Sequence, residues 1–380
     1  MQRRLFWIIV VLLVFGLVML YSASSVQGQQ KFGSPSYFVV HQLLYGVLPG
    51  VAAMLLASRV DYRHLRPFAL PILAGAFVLM VLLFVPDFGI RLKGATSWLS
   101  VMGIAFQPSE FLKLALVIYL SAWFGAGTDR VKNWQFGLLP FGLIVGFSAM
   151  LLIRQPDFGT LGIVLAIALG MFFLAGSSIK QTAVLGLVGV VALGAFVATS
   201  PERLERVRTL VDPEYNPRGA SWQLNQALIA IGAGGLWGVG YGQSTQKLGF
   251  LPETIADSIY AVIAEELGFA GAVFTLLLFA ALGYQLVRIS MRAPDAFGQL
   301  LAGGMAIWIL TQAAVNMAAI TGLMPLTGLP LPFISYGGTS MVSVLAGLGI
   351  VLNVAKRAKG GRRSSGSSSS ILGSARRLRG

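Results

Sequence analysis

The sequence predicts an all-α polytopic membrane protein: one bundle of about ten transmembrane helices, with a large extracytoplasmic loop between the seventh and the eighth. Three observations predict it. The 380 residues are 56% hydrophobic, with a mean hydropathy of +0.77. Only 11% of them are charged, too few to coat a water-soluble fold of this size. Apolar runs near the length a lipid span requires recur along the whole chain.

In order, these runs place helices at about 5–24, 37–57, 68–85, 108–125, 136–152, 157–176, 180–198, 257–289, 298–321 and 336–355. The first reads as a retained helix, because no small-residue cleavage site follows it closely. An even count puts both termini on one side. Counting charges says which side. With the termini inside, the inner segments hold Arg3, Arg4, Arg59, Arg63, Arg66, Arg130, Lys132, Lys180, Arg288, Arg292 and the eight Lys and Arg of the tail, 18 of the 28 in the chain. The positive-inside bias therefore predicts cytoplasmic termini. The net charge of +14 belongs largely to the tail, which reads as facing anionic lipid rather than nucleic acid. With no cysteine, disulfides, thiolate nucleophiles and cysteine metal sites are excluded.

Residues 1–355 form a single membrane domain in this reading. The loop at 199–256 is its largest polar insert, and Trp222 to Ile231 within it is amphipathic but too short to span, as expected of an interfacial or re-entrant helix. The tail, 356–380, is Ser-, Gly- and Arg-rich and expected to be disordered.

Ionisable groups at lipid depth cost free energy unless paired or hydrated, so they are the candidates for chemistry. Asp257 stands where the eighth helix begins; it either caps that helix or works at a polar cleft. Glu265 lies about 80° around the helix and about 12 Å along it, too far for the two-carboxylate arrangement of a retaining glycosidase. Glu266 faces nearly the opposite way, and both glutamates suit structural pairing. Glu110 and Lys113, three apart, share a face and can pair, structurally or beside substrate. Arg154 and Asp157 flank the Gln155-Pro156 break; they pair with each other, or the cation meets phosphate. Arg91, Lys93, Arg206 and Lys247 are further phosphate candidates on mobile segments. The glycine-rich run 232–242 follows no strand, so it suits close backbone packing rather than a nucleotide. Pro330, Pro332, Gly337 and Gly338 break helix geometry before the tenth helix, which places Ser335 and its neighbours beside the same cleft as Asp257. His41 and His64 are isolated, and no metal cluster is spaced along the chain.

Several ordered motifs resemble the SEDS (shape, elongation, division and sporulation) family, the FtsW/RodA/SpoVE polymerases of peptidoglycan. They are Tyr21 to Ser25, Gly94 to Trp98, Phe106-Gln107-Pro108-Ser109-Glu110-Phe111, Gln155-Pro156-Asp157-Phe158-Gly159, Gln223 to Gly242, Leu251 to Gly268 and Leu329 to Thr339. The resemblance covers nearly the whole chain and leans to the division-type FtsW branch. It implies transfer of the disaccharide of one lipid II onto another, with inversion, and with Asp257 as the key acid. Glu110 and Lys113 match positions near the family's substrate cavity. Many members carry His-Thr before that Asp, where this chain has Ile255-Ala256, so a polar role there is absent or moved. A divalent cation (Mg or Mn), held at Asp257 or elsewhere, a class B penicillin-binding protein and other division or elongation proteins are the implied cofactor and partners. Asp157, Arg154, Glu265 and Ser335 are the further substrate-site candidates. A lipid II flippase or a non-catalytic division scaffold are the rival readings.

Overall fold

The computed structural model describes residues 1–86, 88–92, 95–101, 104–127, 137–212, 215–216, 219 and 221–375, and no side chain of 91–92, 95–96, 101, 104, 202, 211 or 359–375. Lys93, Arg130, Lys132, Arg218 and the Arg91 side chain therefore lie outside the described residues.

Every predicted span is a helix: α1 (Gln2–Phe32), α2 (Tyr37–Arg59, with a π-turn at Leu43–Val47), α3 (Leu65–Leu82), α4 (Pro108–Phe124), α5 (Leu139–Arg154), α6 (Phe158–Leu174), α7 (Ile179–Ala198), α10 (Ile259–Ser290), α11 (Ala296–Ile320) and α12 (Gly338–Ala375). Among the described residues, seven are long and apolar enough to cross a membrane: α1, α2, α3 with its preceding turn, α7, α10, α11 and α12 as far as Ala358. The other three, α4, α5 and α6, have 16 or 17 residues, about 25 Å of rise against a hydrocarbon core of about 30 Å. Pro108 opens α4 with one residue between it and a short strand, and the Gln155-Pro156 break separates α5 from α6. Toward the C-terminus α12 runs on from its apolar part through the basic segment expected to be disordered.

Three elements add to the expected set. Residues 89–106, read as loop, form an antiparallel sheet, β1 (Gly89–Leu92), β2 (Ala95–Val101) and β3 (Ile104–Phe106). Leu99 pairs with Phe106 across β2 and β3 and is buried against the bundle. In the long loop, α8 (Pro201–Val211) precedes α9 (Trp222–Gly234), the helix expected there.

The bundle is ordered by burial. Helix α11 and, as far as Ala358, helix α12 are mostly buried, whereas α7 has no buried residue and lies at the edge. α12 packs against α2 at backbone distance: a Cβ on Gly349 would lie 2.4 Å from the Met54 carbonyl oxygen. Such small-residue seams let helices gain van der Waals contact where lipid offers no hydrophobic drive. The connections between α3 and α4, α5 and α6, α7 and α10, and α11 and α12 all fall at one end of the bundle, here called the loop end. The start of α1 and the α12 residue Leu352 fall together at the other, here called the termini end.

Candidate functional site

Asp257 sits at the loop end in a tight turn, one residue before the N-cap of α10. That cap is Ser258, with no side-chain capping bond. Asp257 is therefore not the helix cap that its position in sequence suggested. Its carboxylate Oδ1 accepts from Gln223 Nε2 at 3.2 Å, and the same amide donates to the Ser258 hydroxyl at 3.0 Å. Gln223 lies in the first turn of α9, so the long loop folds its helix back over the start of α10. The residue is 8% exposed.

The backbone under Asp257 is held at three successive carbonyls. The Tyr336 N–H donates to the Ile255 oxygen at 2.7 Å, the Ser335 hydroxyl to the Ala256 oxygen, and Asn316 Nδ2 to the Asp257 oxygen at 2.8 Å. On the other side, the Glu253 carbonyl accepts from the N–H groups of Ala256 and Ser258. Ser335, expected to touch substrate, thus spends its hydroxyl on this clamp and accepts from the Leu331 N–H at 2.8 Å. The segment that supplies the clamp, 329–337, is irregular as expected. Phe333 in it takes a φ of +67°, a conformation that costs a non-glycine residue about 1–2 kcal/mol.

Below this clamp runs a polar ladder that sequence reasoning missed. Gln312 and Asn316, one turn apart on α11, face the same way. Asn316 reaches the Asp257 and Leu329 carbonyls; Gln312 reaches the Pro330 carbonyl at 2.9 Å and accepts from Lys113 Nζ at 2.8 Å and Trp308 Nε1 at 3.0 Å. Lys113 pairs with Glu110 at 2.6 Å, as their spacing predicted, and its ammonium lies 5.2 Å from the centre of the Trp308 ring. Both members of the pair are fully buried. Polar side chains at i and i+4 in an apolar helix were the available signal.

Asp157 joins from the α5–α6 break. It caps α6, with Oδ1 accepting from the Thr160 N–H at 3.0 Å, and its Oδ2 accepts from Gln107 Nε2 at 3.4 Å, one turn before Glu110. Arg154 is exposed. Gly159 lets the clamp segment approach: a Cβ there would meet the Thr327 carbonyl at 2.7 Å.

Glu265 and Glu266 belong to a separate brace. Glu265 accepts from the Thr245 N–H at 2.8 Å, the Thr245 hydroxyl at 3.0 Å, the Gln246 N–H at 3.4 Å and the Ser244 hydroxyl. Glu266 binds Lys247 Nζ at 2.7 Å and the Ser22 hydroxyl of α1 at 2.6 Å. This saturation gives Glu265 a structural place, away from the substrate-binding one expected of it. Lys247, read as a mobile phosphate ligand, is buried instead, with further bonds to Ser22 and the Gly242 carbonyl. Arg206 is exposed, and its guanidinium donates to the Leu326 carbonyl at 3.3 Å.

The brace stands on a break in α10. Gly268 has φ +67° and ψ −165°, which frees the carbonyls of Glu265 and Glu266 and the N–H groups of Phe269 and Ala270. The glycine-rich loop takes up all four: Val239 and Gly240 donate to the first two, at 3.0 and 3.1 Å, and the Gly235 and Leu236 carbonyls accept from the others, at 2.8 and 3.2 Å. The expected close backbone packing of 232–242 is thus observed. Among the described residues no three His, Asp or Glu side chains form a cluster able to hold a metal alone.

With this geometry described, comparison with known proteins becomes informative. The sequence model of the cell cycle protein family FtsW/RodA/SpoVE matches residues 3–360. The chain belongs to that family. It is 39% identical over 351 residues to a probable peptidoglycan glycosyltransferase FtsW of Geobacter sp. (strain M18), covering 92% of this chain and 95% of the relative. It is equally identical over 350 residues to the stage V sporulation protein E of Bacillus subtilis (strain 168), again covering 92% and 95%. Among solved structures, the Thermus thermophilus rod shape determining protein RodA superposes with a TM-score of 0.69 at 27% identity, over 93% of this chain and 95% of that one. A chain from a peptidoglycan synthase complex that coordinates polymerization and crosslinking superposes at 0.77 with 28% identity, over 93% and 97%. Asp257, its clamp and the polar ladder therefore lie in a family fold that extends through all ten long helices.

Proposed function

We propose that this chain is a peptidoglycan glycosyltransferase that polymerises lipid II into glycan strands, with Asp257 accepting the proton from the attacking sugar hydroxyl. One observation carries the assignment to Asp257: three successive carbonyls, its own included, are each fixed by a donor from Ser335, Tyr336 or Asn316 while its carboxylate is oriented by Gln223. Such preorganisation is what a base requires, because small misplacement of a reacting group costs rate steeply.

In the reaction the 4-hydroxyl of one sugar attacks the anomeric carbon of another. The new C–O bond forms as the bond to undecaprenyl pyrophosphate breaks, the pyrophosphate leaves with the electron pair, and the hydroxyl proton passes to Asp257. Single displacement inverts the anomeric carbon, and one carboxylate suffices. In this reading the exposed Arg154 and Arg206 are the side chains that answer the pyrophosphate charge, whereas Lys113 is neutralised by Glu110 and acts by holding Gln312. The alternative role for Asp257 is to hold a divalent cation in place of taking the proton: one carboxylate would suffice if the pyrophosphate supplied the other oxygens, and the cation would neutralise the departing group. The loop end then faces away from the cytoplasm, both termini face the cytoplasm, and the membrane is the bacterial inner membrane. A class B penicillin-binding protein, which cross-links the strand, is the proposed partner, together with other division or elongation proteins. The division branch is favoured over the elongation branch.

The test incubates purified protein with lipid II and Mg2+, alone and with a class B penicillin-binding protein, and resolves glycan chains on a gel. Polymer from the wild type and a loss of about 10²- to 10⁴-fold in Asp257→Asn is the expected result. Equal polymer from both proteins would overturn the base role. No polymer from either, with lipid II carried across liposomes, would replace the enzyme with a flippase.

A further inference from the structure

A cavity of about 300 Å³ lies at the termini end, in the seam where α1, α2 and α12 meet. It is amphipathic in a definite sense. Phe6, Trp7, Leu55 and Leu352 make its walls, and Gln2, Arg3 and Ser58 its polar part. Trp7 and Leu55 are 62% and 41% exposed, so the cavity opens sideways to what would be lipid.

Among the described residues, no carboxylate compensates the charge at its polar part. At the same end of the bundle Arg63 is paired with Asp295 and Arg357 with Asp61. Arg3 has no such partner among the described residues, nor does Arg59, which follows the lining Ser58. A cation without a carboxylate, beside a slot walled by aromatic and aliphatic side chains, is complementary to one chemistry: a phosphate with hydrocarbon attached.

We propose that this cavity binds an anionic phospholipid of the leaflet at the termini end, its phosphate on Arg3 and the start of an acyl chain against Phe6, Trp7 and Leu55. The lipid fills a gap between the two most N-terminal spans and α12, the helix whose other end adjoins the Asp257 clamp. The site is independent of the glycosyltransferase reading and can be tested without activity.

The experiment uses the full chain in nanodiscs of phosphatidylcholine doped with phosphatidylglycerol. Trp7 fluorescence, isolated by subtracting the Trp7→Phe protein, is quenched by phosphatidylglycerol or phosphatidylcholine carrying bromine on the first half of the acyl chain. The anionic lipid is expected to quench at about one fifth of the mole fraction the neutral one needs, as one basic residue near a membrane surface implies. Native mass spectrometry should show retained phosphatidylglycerol in the wild type and in Arg4→Gln, and about fivefold less in Arg3→Gln. Equal quenching by the two lipids would overturn the proposal. So would an equal loss in Arg4→Gln, which would mean diffuse surface charge, or displacement by millimolar inorganic phosphate, which would mean a site for the ion alone.

Discussion

The two ends of the bundle treat charge in opposite ways. At the termini end, Arg63–Asp295 and Arg357–Asp61 both close at 2.9 Å with water still reaching them: their side chains are 52% and 32%, and 41% and 18%, exposed. At the loop end, Lys113–Glu110 at 2.6 Å and Lys247–Glu266 at 2.7 Å are at most 3% exposed. Exposed pairs contribute about 0–1 kcal/mol, whereas buried ones cost several kcal/mol per ion in desolvation that only good geometry offsets. Stability alone does not account for burying charge this way, since apolar side chains of the same volume serve as well. The loop end carries its charges at a cost, and the Asp257 carbonyl is bonded to Asn316, one turn along α11 from the Gln312 that holds Lys113.

The contrast breaks first at Lys113. Lys113→Met leaves the Glu110 carboxylate buried without its partner and is expected to destabilise the protein by about 3–5 kcal/mol, whereas Arg63→Met should cost less than about 1 kcal/mol. Adding Glu110→Gln to Lys113→Met should recover most of the loss, because the uncompensated charge is then gone. Thermal unfolding of the four proteins in one detergent decides it. Equal losses for Lys113→Met and Arg63→Met would mean that the two ends do not differ.

A second test separates the brace from the base. A Cβ on Gly238 would lie 2.2 Å from the Glu266 carbonyl oxygen, so Gly238→Ala must push the glycine-rich loop off the broken turn of α10. Glu265 and Glu266 would shift with it, and Asp257 stands two turns earlier on the same chain. Polymerisation is expected to fall about 10²-fold, the cost of roughly 1 Å of misplacement, with Gln223 and Asn316 untouched. Gly232→Ala, on α9 with nothing within 4 Å of the added carbon, should keep full activity. If Gly238→Ala polymerises as well as Gly232→Ala, the brace has no part in positioning.

What could be read without coordinates follows from what lipid demands. A span must satisfy its own backbone and present apolar surface along its length, so hydropathy placed every long helix. Elements outside lipid carry no such demand. Helix α8 was missed because spans were placed on hydropathy: Leu204, Val207, Leu210 and Val211 recur at helical spacing, but three arginines and two glutamates keep the segment polar, and β1–β3 were missed because strands of three to seven residues barely express a period of two. In the site, Asp257 and the Glu110–Lys113 pair were legible from their positions, the first at a helix entrance and the second three apart on one turn. Lys247 was not. Its neighbours Gln243 to Gln246 look like solvated loop, while its partners are 19 residues ahead and 225 behind. Gln312 and Asn316 failed for the same reason: what a buried amide serves depends on the carbonyls opposite, which come from segments distant in sequence.

The smallest expected effect lies at the termini end and depends on pH. Burial by itself would raise the Asp295 carboxyl, but hydrogen bonds from the Tyr62 hydroxyl at 2.6 Å and the Gly298 N–H at 2.8 Å, with Arg63 beside it, outweigh burial and hold it below the ordinary carboxylate value. A depressed pKa means that the unfolded chain takes up the proton first. The stabilisation is therefore full above the unfolded value of about 4 and is lost as pH falls through the folded one. Between pH 6 and 8 the Asp295 carboxylate should add nothing to the pH dependence of unfolding, and Asp295→Asn should shift the melting temperature by the same amount throughout that range. Below about pH 4 the wild type and Asp295→Asn should converge. A difference between them that changes from pH 6 to 8 would show that another group at that end titrates with Asp295, and the termini end would then hold a coupled network like the one at the loop end.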